Sequence, residues 1–399
     1  MLPLWIKLTR GSDMPDMIVM SDDYFTFFEQ SQTALKRYTA DENGQGGMVS
    51  MKYKSADVFF DSSGGIPSAH AYFLNTDYIG LVIHQDADMT LLDDVQSINQ
   101  DAMVKACATY APGKTIPQCV AIEESHKPEG GDFVAYARKQ LVDLRQFVIE
   151  HNVVTVPGEE EAMVKQSPPY NAQNGAYIDP TPPFAKELPA FYNIAAPDPT
   201  WSKAKQLDYI PGKANLLFTS VHEVWPGHFL QFLHSARAES MFGKVYVGYA
   251  FAEGWAHYAE EMMWDEGLGN GDPETHIGQL YNATLRNVRF LSAIGMHTKG
   301  MTLEQSKKMF IDEGYQGEGT AEQQAARGAY DPAYLNYTMG KLMIRKLRDD
   351  YCAAHPELVT GGDVKTCWKP FHDAFLAFGG PPIPLVRGAM MQTAPKAVF

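Results

Sequence analysis

The chain has 399 residues, 45% of them hydrophobic, the composition of a folded protein with room for one large domain or two ordinary ones. A formal net charge of −15 argues against nucleic acid or an anionic membrane as the main partner. The opening apolar run, residues 1–8, is too short for a signal peptide or a transmembrane span, so membrane insertion is not expected. In chain order, residues 22–36 suit a short helix with Tyr24, Phe27 and Phe28 on one side, and residues 42–47 read as a turn. Residues 61–75 are turn-rich, a candidate rim for an active site. Residues 77–92 hold apolar clusters without a clean period, a short strand followed by helix. Residues 93–109 are amphipathic through Val95, Ile98, Ala102, Met103 and Ala106, with Pro112 and Pro117 beyond the end. Residues 132–152 form the best helix of this half, with Phe133, Tyr136, Ala137, Leu141, Leu144 and Phe147 recurring mostly at three and four residues.

Beyond residue 153 the character changes. Val153 to Val156 is a short β-prone run stopped by Pro157-Gly158. Among many prolines, residues 176–178 and 190–194 are candidate strands of a small sheet. By analogy with zinc peptidases one of them would hold a substrate backbone by β-augmentation; a plain structural hairpin is the alternative. Helices follow over 213–242, 249–267, 273–300, 320–328, 334–352 and 369–378. A further helix starts beyond Thr302, where Gln305 completes a capping box. The predicted organisation is an N-terminal helical region, 1–150, and a helical region, 151–399, packed together as one cleft-forming unit. Four cysteines fall into two local pairs, Cys107 with Cys119 and Cys352 with Cys367. Even number and short loops fit two disulfides of an exported protein, periplasmic or secreted; four unrelated thiols in a cytoplasmic one is the other reading.

The chemistry concentrates in His222-Glu223-Val224-Trp225-Pro226-Gly227-His228 and, some thirty residues later, Glu253. Two imidazoles, an adjacent carboxylate and a later one are the ingredients of a zinc site with three protein ligands and an open position. The usual H-E-x-x-H spacing sets both histidines on one helical face. Here six residues separate them, about 600° of rotation and about 9 Å of rise on an unbroken helix, which cannot chelate one ion. Pro226-Gly227 interrupts that helix. Either the kink returns His228 to His222, or Pro226 opens a fresh helix with His228 in its first turn. The bland reading is a kinked helix with hydrogen-bonded core histidines.

From His222 to Gln231 the chain matches H-E-x-x-P-G-H-H-x-Q, except that Phe229 replaces the second of two adjacent histidines. Residues 253–260 match E-G-W-A-x-Y-x-E. Residues 286–297 are similar to an arginine-rich helix ending in D-x-G-x-H, with Ala293 where the aspartate stands. Tyr337 to Lys341 fits Y-x-x-G-x, and Phe371-His372-Asp373 with residues 379–385 fits a closing segment. On these motifs the chain resembles the bacterial DUF885 family, predominantly helical relatives of gluzincin-type zinc metallopeptidases. The likeness is specific over about residues 150–390 and weak before. Members are usually longer than this chain, so an incomplete N-terminal half is one expectation.

The resemblance implies a mainly α, gluzincin-like fold with a small β element beside the metal-site helices. It implies Zn2+ held by His222, His228 and Glu253, with Glu223 as general base. Tyr337, then His297 and Arg289, are candidates to stabilise the oxyanion. Each has a plain structural alternative: core aromatic, helix-terminal cap, salt bridge. His257 and Glu260 share a helical face with Glu253 and are expected to orient ligands, with His257 as substitute ligand should His228 not be presented. The implied activity is hydrolysis of short peptides or peptide-like amides. A zinc hydrolase of non-peptide amides or esters, and a non-catalytic binding or structural protein on the same scaffold, are the alternatives. Phe229 and Ala293 keep the last of these open.

Overall fold

The computed structural model describes residues 5, 14–31, 51–54, 56–61, 71–74, 90–171 and 174–393. The expected turn at 42–47 and most of the rim at 61–75 lie outside them, as does the segment 77–89. The chain divides into two units, Met1–Asp88 and Met89–Phe399, so the boundary lies well before residue 150.

Among its described residues the first unit holds the short helix expected from residue 22 and, beyond that expectation, a four-stranded sheet. Met17–Ser21 (β1) leads into Asp22–Ser31 (α1), followed by Met51–Tyr53 (β2), Ala56–Asp61 (β3) and Ala71–Leu74 (β4). The sheet order is β2-β3-β1-β4, with β1 parallel to β3 and antiparallel to β4. Ile18 and Met20, two residues apart, share one face of β1 and are fully buried. Phe25 and Phe28 of α1 cluster with them, while Phe27 is 68% exposed. The expected apolar face of α1 is therefore corrected: residues three apart share a face and residues one apart do not.

The second unit is mainly α. Thr90–Tyr110 (α2), Ile116–Ser125 (α3) and Phe133–Glu150 (α4) come first. α2 ends ahead of Pro112 and Pro117 as expected, and Pro117 lies in the first turn of α3, where its missing N–H costs nothing, with Thr115 and Gln118 completing a capping box. Cys107 and Cys119 are disulfide-bonded, joining α2 to α3. Val153 to Val156 forms no strand; Val153 and Val154 are buried in the core as irregular chain. The small sheet consists of Ala162–Gln166 (β5), Ala176–Asp179 (β6) and Ala190–Ile194 (β7) in the order β5-β7-β6, so both candidate strands are present and a third joins them. Helices Lys203–Tyr209 (α5), Lys213–Glu223 (α6), His228–Ser235 (α7), Met241–Val245 (α8), Tyr249–Asp265 (α9) and Pro273–Thr298 (α10) follow. Leu303–Asp312 (α11), Glu318–Tyr330 (α12), Asn336–Ala354 (α13), Trp368–Leu376 (α14) and Ile383–Met390 (α15) complete the unit. The box of Thr302 and Gln305 opens α11 as its sequence implies. Cys352 and Cys367 form the second disulfide. Among the described residues no helix is long and apolar enough to cross a membrane.

The core runs through Phe218 and Val221 of α6, Phe251 and Trp255 of α9, Ile344 of α13 and Phe375 of α14, all fully buried. One contact fixes the geometry of the site. Helices α9 and α13 touch backbone to backbone: a Cβ on Gly340 would stand 2.2 Å from the Ala250 carbonyl oxygen, and one on Gly254 2.5 Å from the Gly340 Cα. With Glu253 beside Gly254 and Tyr337 one turn before Gly340, this crossing sets a carboxylate and a phenol against the same cleft.

Candidate metal centre and its cleft

Helix α6 stops at Glu223 and α7 starts at His228. Between them Val224 leaves helical geometry (φ −126°, ψ −74°), and the Trp225–Pro226 peptide is cis. The Gly227 N–H donates to the Val221 carbonyl at 3.0 Å. Only glycine fits there, because a Cβ would stand 1.8 Å from the His222 carbonyl oxygen. Trp255 Nε1–H holds the insert from below by donating to the Pro226 carbonyl at 2.8 Å. The chain thus folds back on itself. His228 opens a fresh helix and still lies against His222, with ring centroids 4.8 Å apart and planes at 89°.

Glu253 of α9 meets both rings. Its Oε2 lies 3.3 Å from His222 Nε2 and 3.2 Å from His228 Nε2, and one ligand atom from each of the three residues lies within 4.8 Å of the others. Behind His222, Nδ1–H donates to Glu260 Oε1 at 2.7 Å, and Arg286 Nη2 lies 3.1 Å from the same oxygen. That bond fixes the tautomer and turns the Nε2 lone pair towards Glu253. Burial alone would raise the Glu260 carboxyl, but Arg286 and the neighbouring imidazoles hold it far below its ordinary value. Burial likewise opposes ionisation of Glu253, and His228 and His222 reverse that effect, leaving it well below the carboxylate range. For His222, burial and Arg286 act downward, while its bonds to Glu253 and Glu260 carry the imidazole above its ordinary value. A proton and a cation therefore compete for the same nitrogen.

The donors fit zinc. Tetrahedral ligands about 2.0–2.1 Å from the ion lie roughly 3.3 Å from one another, close to the two histidine–carboxylate separations. Two imidazoles and one carboxylate, with one imidazole secured from behind by a second carboxylate, are the borderline-soft set that zinc accepts. His257 is not part of it. It is fully buried, with Nδ1 3.5 Å from Glu260, and burial with nearby Lys341 pushes it down to about 4. The substitute-ligand role is not needed, because the break at Pro226-Gly227 presents His228.

A cleft of about 530 Å3 opens over the cluster. Glu223 lines it beside His222 and His228. The Tyr337 ring stacks 6.0 Å from that of His222, and its hydroxyl lies 3.5 Å from that of Tyr249, which accepts from Arg327 Nη2 at 3.2 Å. Burial, then Glu253, raises the Tyr337 phenol, so it remains a neutral donor. Arg289 also lines the cleft, its Cζ 4.9 Å from the Tyr337 ring centroid. His297 does not. Its Nε2 bonds the Gly328 carbonyl at 2.8 Å, and it lies eleven residues beyond Arg286 on α10, about 16 Å along the axis. Neither family departure is among the residues lining the cleft: Phe229, next to His228, packs edge-on against Trp225, and Ala293 lies in an apolar cluster with Phe310 and Ala321.

Three site residues were given no role from the sequence. Tyr249 lies four positions before Glu253, a spacing that puts it on the ligand face of α9. Arg286 lies three before Arg289 on one face of α10. Arg327 has no comparable local signal. The last wall is β6, whose Ala176, Tyr177 and Ile178 line the cleft from the edge of the sheet. The Gly175 carbonyl accepts the Ala195 N–H, so in this antiparallel ladder the bonded pairs continue at Tyr177 and Asp179. The peptide groups of Ala176 and Ile178 consequently point away from β7, along the free edge.

Among solved structures, the chain is similar to a candidate lipoprotein of unknown function from Shewanella oneidensis, with 26% identity and a TM-score of 0.63 over 76% of this chain and 55% of that one. It also shares its fold with a candidate lipoprotein from Colwellia psychrerythraea, with 23% identity and a TM-score of 0.64 over 78% of this chain and 52% of that one. The chain therefore spans about half the length of both. No curated protein matches it. Residues 87–390 match the family described as bacterial protein of unknown function, so the likeness extends well ahead of residue 150, and the chain belongs to DUF885.

Proposed function

We propose that this protein is a zinc-dependent hydrolase that cleaves peptide bonds in short peptides or peptide-like amides. The observation that carries the reading is the convergence of His222 Nε2, His228 Nε2 and Glu253 Oε2 at the floor of a cleft that Glu223 also lines. His222, His228 and Glu253 would hold the ion, which supplies Lewis-acid polarisation of a carbonyl when bound. Glu223 takes the proton from the attacking water and returns it to the leaving amine. The Tyr337 hydroxyl donates to the developing oxyanion, and its neutral state suits that role. Glu260 keeps His222 oriented. The free edge of β6 offers the Ala176 and Ile178 peptide groups to an extended backbone, which favours a peptide as substrate. Two disulfides and the likeness to candidate lipoproteins support a periplasmic or secreted location.

Elemental analysis of the wild type and His222→Ala, with a peptide panel run alongside, tests this. About one zinc per wild-type chain is expected, lost in a folded His222→Ala. Glu223→Gln should keep the zinc and lose about 10²–10⁴-fold in turnover. A wild type that acquires no zinc from a modest excess would end the hydrolase reading and return these residues to a structural role.

A further inference from the structure

Three arginines line the cleft, and their surroundings differ. Arg286 is paired with Glu260 at 3.1 Å, and Arg327 with Asp331 at 3.2 Å. Arg289 is only 8% exposed, yet among the described residues no carboxylate pairs with it. Its Nε donates to Gln324 Oε1 at 2.7 Å, and Gln324 in turn accepts from the Tyr334 hydroxyl at 3.0 Å. The guanidinium packs against Tyr334 and Tyr337, with Cζ 5.2 and 4.9 Å from their ring centroids. These contacts fix its plane and engage one edge. A buried charge without a counter-charge is costly, and a fixed guanidinium presents paired donors matched to a carboxylate.

We infer that Arg289 is the recognition site for a substrate carboxylate, and that the protein's substrates are short peptides with a free C-terminal carboxylate. Tyr337 sets the scale. Its ring lies 6.0 Å from that of His222 and 4.9 Å from Arg289 Cζ, so the guanidinium is within about 11 Å of the imidazole. At about 3.5 Å per extended residue, a carboxylate on Arg289 leaves room for at most one to two residues between itself and the metal-donor cluster. Cleavage would then release a single amino acid or a dipeptide from the C-terminus. Arg327, already paired with Asp331, adds positive potential at the same wall. The release pattern rests on the hydrolase reading; the carboxylate site does not need turnover.

The test is therefore a binding measurement on zinc-loaded Glu223→Gln. Calorimetry would compare the tripeptide Gly-Gly-Phe with its C-terminal amide, and with Gly-Gly-Glu amide. The free acid should bind about tenfold tighter than its amide, or more, the size expected of a charge-assisted contact. Adding Arg289→Gln should erase the difference, and Arg289→Lys should restore part of it. The preference should survive chelation of the metal. Equal affinity of acid and amide, no binding of either, or a preference lost on chelation would overturn the inference, and none of these needs the arginine variants to fold. Tight binding of Gly-Gly-Glu amide would support the carboxylate site and assign it to an acidic side chain instead. Turnover of peptides with no acid preference would leave the hydrolase standing and remove this inference; acid preference without turnover would do the reverse.

Discussion

The two chemical walls of the cleft treat charge differently. On the wall made by α6, α7 and α9, the ionised groups answer one another: Glu253 lies between two imidazoles, and Glu260 between His222 and Arg286. On the wall made by α10, α12 and α13, phenols and guanidiniums meet, and Arg289 has no acid partner among the described residues. The first wall is rich in donors aimed at one point, which suits a cation; the second retains positive charge, which suits an anion. A peptide has both kinds of handle, a polarisable carbonyl and a terminal carboxylate. The contrast gives the cleft a direction that neither wall has alone.

The sharpest way to break this comparison is Tyr337→Phe, because Tyr337 belongs to the second wall yet stacks near His222. Loss of a donor used only in the transition state should lower kcat by about 10²–10³ with KM and zinc content little changed. Full activity in the phenylalanine variant would reduce Tyr337 to a packing residue.

A control that does not line the cleft comes next in size. His372 is buried, donates from Nδ1 to the Val153 carbonyl at 2.9 Å and accepts from the Tyr258 hydroxyl at 2.8 Å. Burial, against the upward pull of the Val153 bond, pushes it down to about 4. Between that value and the ordinary 6.5 the unfolded chain binds a proton that the folded chain refuses, so stability must fall as pH drops through this window. The loss from this residue is about 3 kcal/mol, at about 1.4 kcal/mol per unit. Urea titrations of the wild type and His372→Asn across pH 4–7 check it: an equally steep acid limb in the variant would acquit His372.

On the first wall, Glu260→Gln keeps the shape and removes the charge behind His222. Zinc should bind about 10- to 100-fold more weakly by chelator competition. Unchanged affinity would mean that Glu260 serves Arg286 rather than the ligand. The smallest effect is expected where the walls are joined. Gly340→Ala forces α9 and α13 apart and should cost about 1–3 kcal/mol in urea unfolding. Turnover should fall with it if the helix spacing is what aligns Tyr337 with Glu253. A destabilised variant with unaltered kcat would separate packing from alignment.

Much of the second unit was legible because its signals are local. The capping box at Thr302 and Gln305, the strands at 176–178 and 190–194, and the cysteine partners all follow from near neighbours in the chain. The strands of the first unit were not, since pieces of three to six residues are stabilised by pairing with distant ones and carry little periodicity of their own. Val153 to Val156 shows the converse: β-branched residues were buried as irregular chain because the core, not the ladder, claimed them. Pro112 and Pro117 lie beyond the end of α2 as expected, and what went unread is that Pro117 also sits in the first turn of α3.

The same division holds at the site. By itself the sequence singled out the candidates, since His222, Glu223, His228 and Glu253 stand in a pattern whose residue types together suit a metal site. It determined too that the helix must break between the histidines, because proline and glycine cannot continue it there. Only the tertiary structure decided that the break returns His228 to His222 and leaves His257 aside. Only it decided that His297 caps a carbonyl far from the cleft, and that Arg289, alone of the three cleft arginines, has no carboxylate paired with it among the described residues. The physical reason is that ligand geometry and charge balance are sums over groups distant in the chain. α6, α9, α10, α12 and α13 must pack before any of those distances exists.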